Sequence, residues 1–106
     1  MHGVHIAKDL VENAKKQGEV KKIYVEVGEI ANITVEDLST HLKNIAYFPF
    51  EITEKKAKVK CVCGYGGSPK IIERQHDIVI FTCPRCGLTP EVIEGDKIIL
   101  RSIEVE

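Results

Sequence analysis

All four cysteines of this 106-residue chain fall in one stretch, Cys61 to Cys86, as two close pairs. The first pair reads Cys61-Val62-Cys63-Gly64 and the second Cys83-Pro84-Arg85-Cys86-Gly87. Two thiolates from each of two tight turns are what a tetrahedral zinc site needs. A glycine after the second thiolate lets the backbone fold closely around the sulfur. Four thiolates leave no open position, so such a site is structural and not catalytic. The second pair has the usual two-residue spacer, whereas the first has only Val62, so the first turn is expected to differ. Disulfides, rubredoxin-like iron and redox-active thiols are the competing readings. The chain opens directly on Met1-His2 with no signal peptide, which points to a reducing cytoplasm. Paired cysteines there more often bind metal. His76, between the pairs, can replace a thiolate but reads better as a polar strand residue.

The second place for chemistry is the start, Met1-His2-Gly3. A residue as large as His2 protects the initiator methionine from removal. A histidine in second place offers the terminal amine, its own backbone amide and its imidazole in one plane, closing fused chelate rings. The Gly3 amide, or a group from elsewhere, can fill the fourth corner. Four nitrogens in a plane favour Ni(II) or Cu(II) and disfavour zinc. The amine must lose its proton, so binding weakens in acid. The plainer alternative is a frayed, solvated terminus. His5, three residues on, reads as a surface residue.

Two helices and three strands are expected to position these groups. Val4, Ala7, Leu10, Val11 and Ala14 form one apolar stripe, which predicts a helix over 4–17 closed by Gly18. Ile23, Val25 and Val27 alternate with Tyr24, Glu26 and Gly28, predicting a strand over 20–29. Thr34 looks like an N-cap with Asp37 three residues on. Leu38, His41, Leu42 and Ile45 would face inward on the helix it starts, which Pro49 would stop at about Phe48. His41 then reads as a half-buried core histidine. Residues 51–60 read as one strand leading into Cys61. Lys70 to Glu73 and Asp77 to Thr82 read as short strands, with an apolar patch over 78–81. After Cys86 come a turn and a last strand over 97–104. The expected fold is α/β (α+β) and two-lobed, with two helices on a three-stranded sheet. A zinc-ribbon-like four-cysteine lobe is inserted into it. The domains are expected at 1–60 plus 95–106, and at 61–94.

Composition excludes several functions. A net charge of -1, without an aromatic-plus-basic stripe, argues against a zinc ribbon that grips nucleic acid. No apolar run approaches the ~20 residues of a membrane span. No phosphate loop or nucleophile with a placed base suggests an enzyme. A zinc module that binds protein or nucleic acid, with no role for Met1-His2, is the alternative.

In order and spacing, the chain resembles the HypA/HybF family of hydrogenase nickel-incorporation proteins. The resemblance rests on Met1-His2, the helix from Val4 to Val11, Val27-Gly28-Glu29-Ile30, the four cysteines, and the tail from Gly95 to Val105. It implies a cytoplasmic nickel metallochaperone for [NiFe]-hydrogenase, working with a GTPase of the same pathway and the hydrogenase large subunit. It implies Ni2+ held by Met1, His2 and Gly3, and Zn2+ held by Cys61, Cys63, Cys83 and Cys86. A monomer is expected, with a domain-swapped dimer open to an inserted lobe. Two positions depart from the family pattern. Gly3 stands where the family usually has Glu, and the first cysteine spacer is one residue short.

Overall fold

The computed structural model describes residues 2–74 and 78–106, with backbone alone at residues 2 and 3. Helix α1 spans His2–Lys15, and its stripe buries Ala7, Leu10, Val11 and Ala14. Val4, in the same stripe, remains 41% exposed, so the stripe runs one turn beyond the core. Gly18, at φ 126°, turns the chain into β1, Val20–Gly28. Ile23, Val25 and Val27 of β1 are buried against the helices.

Helix α2 spans Val35–Ile45, and the Asp37 N–H donates to Thr34 Oγ1 at 3.1 Å, as the capping pattern predicts. It ends earlier than its proline suggests. Ala46 is already extended, and the chain leaves the helix so that Phe48 can enter the core. Ile45, expected to face inward, is consequently 41% exposed. His41 is half-buried.

Strand β2, Phe50–Lys55, pairs parallel to β1, and β8, Ile98–Val105, pairs antiparallel on its other side. The sheet order is therefore β2-β1-β8. Tyr24 faces Ser102 and Val25 faces Leu100, which leaves Arg101 as an extra residue in β8. This bulge explains why Ile98, Leu100 and Ile103 all reach the core although strict alternation would expel one of them. It also turns Arg101 Nε toward Glu26 Oε2 at 3.6 Å.

Residues 51–60 are not one strand. They form β2 and a separate β3, Lys58–Lys60, in another sheet, broken at Lys56-Ala57. β3 lies between β4, Gly66–Gly67, and β7, Glu91–Glu94. β7 was hidden by its brevity and its two flanking glutamates, and the segment reads as a turn. β5, Lys70–Arg74, and β6, Val79–Thr82, form a hairpin of their own. The molecule measures 50 × 24 × 16 Å, with the main sheet and the cysteine-bearing sheet as two lobes.

The lobes meet where three segments cross. Gly28 N–H donates to Lys97 O (2.8 Å), Glu29 N–H to Lys55 O (2.8 Å) and Ile30 N–H to Gly95 O (2.9 Å). A Cβ on Gly28 would be driven into the Gly95 carbonyl, and one on Gly95 into the Ala57 backbone. Neither neighbour can move without shifting backbone. Gly28→Ala should therefore cost about 3 kcal/mol, the upper end of overpacking. That loss would lower the melting temperature by about 12 °C or more in a thermal melt. An unchanged melt would mean the crossing is looser than this geometry.

Candidate metal centre

The two cysteine turns connect β3 to β4 and β6 to β7. In the first, Cys61 N–H donates to Tyr65 O (2.9 Å) and Gly64 N–H donates back to Cys61 O (3.0 Å). In the second, Cys83 N–H donates to Leu88 O (2.8 Å) and Gly87 N–H donates back to Cys83 O (2.9 Å). The two turns close by the same pair of bonds, with one residue fewer in the first. Gly64 at φ 96° and Gly87 at φ 80° permit both closures. The short spacer at Val62 thus keeps the closing pattern one residue tighter, and Val62 itself is 95% exposed at the tip.

The four Sγ atoms lie within 4.8 Å of one another. Cys61 and Cys86 sulfurs are 3.4 Å apart, and Cys63 and Cys83 sulfurs 3.7 Å, each pair spanning both turns. All four thiols are free, since a disulfide would bring two sulfurs to about 2.0 Å. Metal–sulfur bonds of ~2.3 Å in a tetrahedron set sulfurs about 3.8 Å apart, so the donor set fits a four-thiolate ion. It is the only cluster of metal-capable side chains among the described residues.

The local electrostatics favour the same conclusion. Burial pushes the Cys83 thiol up, but backbone N–H groups of Cys86 and Arg85, then the Cys63 and Cys61 thiols, outweigh it and bring it down to about 7. The Leu88 N–H pulls the Cys86 thiol down, but the Cys61 thiol, burial, and the Cys63 and Cys83 thiols push it up to about 12. Cys83 therefore ionises with ease while Cys86 resists ionisation beside its neighbouring thiols. A bound dication removes that resistance. Cys61 and Cys83 are buried while Cys63 and Cys86 are exposed, so the cluster sits at the surface of its lobe.

Met1 and His76 fall outside the described residues, and His5 is exposed. α1 and α2 run the same way, with Lys15 Nζ 5.2 Å from the centre of the Tyr47 ring just past the end of α2. α1 thus begins, at His2, on the end of the main lobe where α2 starts and β1 finishes. Both linkers to the cysteine lobe leave from that end. A cleft of about 370 Å³ lies there, lined by Glu29, Glu36, Glu54 and, from β5, Arg74.

Comparison with known proteins decides the family. A family model described as hydrogenase/urease nickel incorporation, metallochaperone, hypA, matches residues 1–105. The chain belongs to the HypA family. It is 35% identical over 118 residues to the hydrogenase maturation factor HypA of Methanocella arvoryzae, covering 100% of this chain and 99% of that one. The HypA of Methanosarcina acetivorans is 30% identical over 128 residues, covering 100% and 96%. The solution structure of the Ni metallochaperone HypA from Helicobacter pylori shares the fold. Its TM-score is 0.62 over 96% of this chain and 95% of that one, at 13% identity. As a HypA protein, the chain is a metallochaperone and not an enzyme. No helix among the described residues is long and apolar enough to cross a membrane.

Proposed function

We propose that this HypA protein carries Ni(II) at its N-terminus and delivers it during maturation of a [NiFe]-hydrogenase. The observation that carries the reading is a family match that begins at residue 1 and so takes in Met1-His2. The Met1 amine, the His2 amide and imidazole, and the Gly3 amide supply four nitrogens, the planar set that suits Ni(II). The placement of residues 2 and 3 in the first turn of α1 supports this. The first N–H groups of a helix have no intrahelical acceptor, so these nitrogens are not committed to the fold. With Gly3 in place of a carboxylate, the donor set is nitrogen throughout.

Zn2+ is the resident ion of Cys61, Cys63, Cys83 and Cys86. It supplies a closed structural centre that ties the two cysteine turns together. The sequence division, 1–60 plus 95–106 for nickel and 61–94 for zinc, is kept except at β3, Lys58–Lys60, which falls with the zinc-binding domain. β3 belongs there because it pairs with β4 and β7. The partners are the GTPase of the pathway and the hydrogenase large subunit. The protein works as a monomer in the cytoplasm, where its thiolates stay reduced.

Delivery tests the reading. Nickel-loaded protein is mixed with the GTPase and apo large subunit in the presence of a competing chelator, and nickel in the large subunit is measured. Acquisition from the loaded protein but not from the same total of free nickel supports a chaperone. Equal acquisition from both contradicts it.

A further inference from the structure

Glu29 places its carboxylate on the main chain of the crossing between the lobes. It follows Gly28 at the end of β1, and sequence patterns assign it no role beyond the Gly-Glu step. The signal available was a lone carboxylate directly after a glycine, at the end of an alternating strand. Its Oε1 accepts the Ala57 N–H at 2.9 Å. Ala57 is the residue that separates β2 from β3, and its backbone N–H lacks a strand partner because the chain is changing sheets there. The Glu29 side chain is 18% exposed, whereas Lys56 beside it is 77% exposed.

The segment behind Glu29 is packed into the main lobe. Ile30, Ala31 and Ile33 of the following loop are buried. That loop ends at the Thr34 cap of α2, on the end of the main lobe where α1 begins. The Glu29 and Ile30 N–H groups hold Lys55 and Gly95, one residue from each of the two linkers. The carboxylate then holds the next turn of the first linker. Charge contributes little here. Lys56 Nζ lies 3.1 Å from Glu54 but 3.8 Å from Glu29, and an ion pair this exposed is weak. The hydrogen bond to the main chain is the contact that counts.

We propose that Glu29 is a positioning residue for metal hand-over: its carboxylate, bonded to the Ala57 N–H, fixes the cysteine lobe over the end of the main lobe where α1 begins. Without that bond the first linker pivots at Lys56-Ala57, and the lobes reorient while each stays folded. The consequence for hand-over rests on the nickel reading above. The clamp itself does not.

The test uses Glu29→Ala and Glu29→Gln in the full zinc-loaded chain. Residual dipolar couplings of backbone amides report the orientation of each lobe. The native protein should fit one alignment for both lobes, and Glu29→Ala should need two. Glu29→Gln, which keeps the acceptor and loses the charge, should restore one. The Ala57 amide should exchange about 10- to 100-fold faster in Glu29→Ala than in the native chain. Nickel should bind the N-terminus of Glu29→Ala as tightly as the native chain, with slower delivery to the large subunit. A single native-like alignment in Glu29→Ala overturns the proposal, as does a Gln variant that behaves like Ala. If Glu29→Ala does not fold, the native chain decides. An Ala57 amide that exchanges as fast as an exposed loop amide overturns the clamp, and a protected one supports it. Failure of nickel binding in every variant would sink the nickel reading while leaving the alignment result intact.

Discussion

Cys83→Ser should lose zinc entirely and unfold the cysteine lobe, while the two helices and main sheet remain folded. Cys83 is 1% exposed, receives the Arg85 N–H on its sulfur at 3.4 Å, and anchors the second turn through Leu88 and Gly87. A serine oxygen is a poorer donor for zinc and is rarely ionised at neutral pH. The lobe has little else to hold it. Among the described residues its buried apolar groups are Ala57, Val59, Cys61 and Cys83, two of them metal ligands on this account. None belongs to the main core cluster. The β5-β6 hairpin alone is marginal in water. A structural zinc contributes about 10–16 kcal/mol of apparent binding free energy at neutral pH, most of which appears as folding of its lobe. Zinc analysis should fall from one equivalent to none. Dispersed amide signals from 61–94 should collapse, with far-ultraviolet helical signal nearly unchanged. One retained equivalent with dispersed signals would show that three sulfurs and the backbone suffice.

His2→Ala should have the opposite profile. Removing the imidazole leaves the amine and amides, which alone cannot close the chelate that makes amide ionisation favourable. Nickel affinity should fall by two orders of magnitude or more, about 3 kcal/mol at a tenfold per 1.4 kcal/mol. The fold should not respond. Among the described residues the core cluster begins at Ala7, with Ile6 packed against it. The melting temperature and zinc content should match the native chain. Undiminished nickel binding in His2→Ala would place the cargo elsewhere.

The contrast between these two variants follows from how the chain divides its work, and that division was partly legible in the sequence. The four cysteines announced their cluster because tight turns leave a strong local pattern. The α1 stripe and the Thr34 cap were equally plain, since helix periodicity and capping are local. What could not be read were features set by distant contacts. The break between β2 and β3 falls where Glu29 takes the Ala57 N–H and Gly95 crosses Ala57. No pattern within 51–60 encodes either. β7 exists because β3 needs a partner, and Glu91-Val92-Ile93-Glu94 has no preference strong enough to declare it. The Arg101 bulge similarly lets Ile98, Leu100 and Ile103 share one side, a placement that simple alternation forbids. The short Cys61-Cys63 spacer looked like a change of geometry. The structure shows the same two closing bonds drawn one residue tighter. At the N-terminus the residue types suggested planar nitrogen chelation, and only the family resemblance chose nickel over copper.

The most direct test of the account is a nickel titration of zinc-loaded protein with a native, untagged N-terminus, followed by visible absorption beside the N-terminally acetylated protein. Acetylation removes the amine as a donor and leaves every side chain in place. One equivalent with a square-planar spectrum is expected for the native chain, and none for the acetylated one. Binding should weaken as the pH falls below the amine's unperturbed pKa of roughly 7.7 to 8.0, because protons compete for that nitrogen. Equal nickel binding by both forms, or none by the native chain, would contradict the claim that the N-terminus carries the metal.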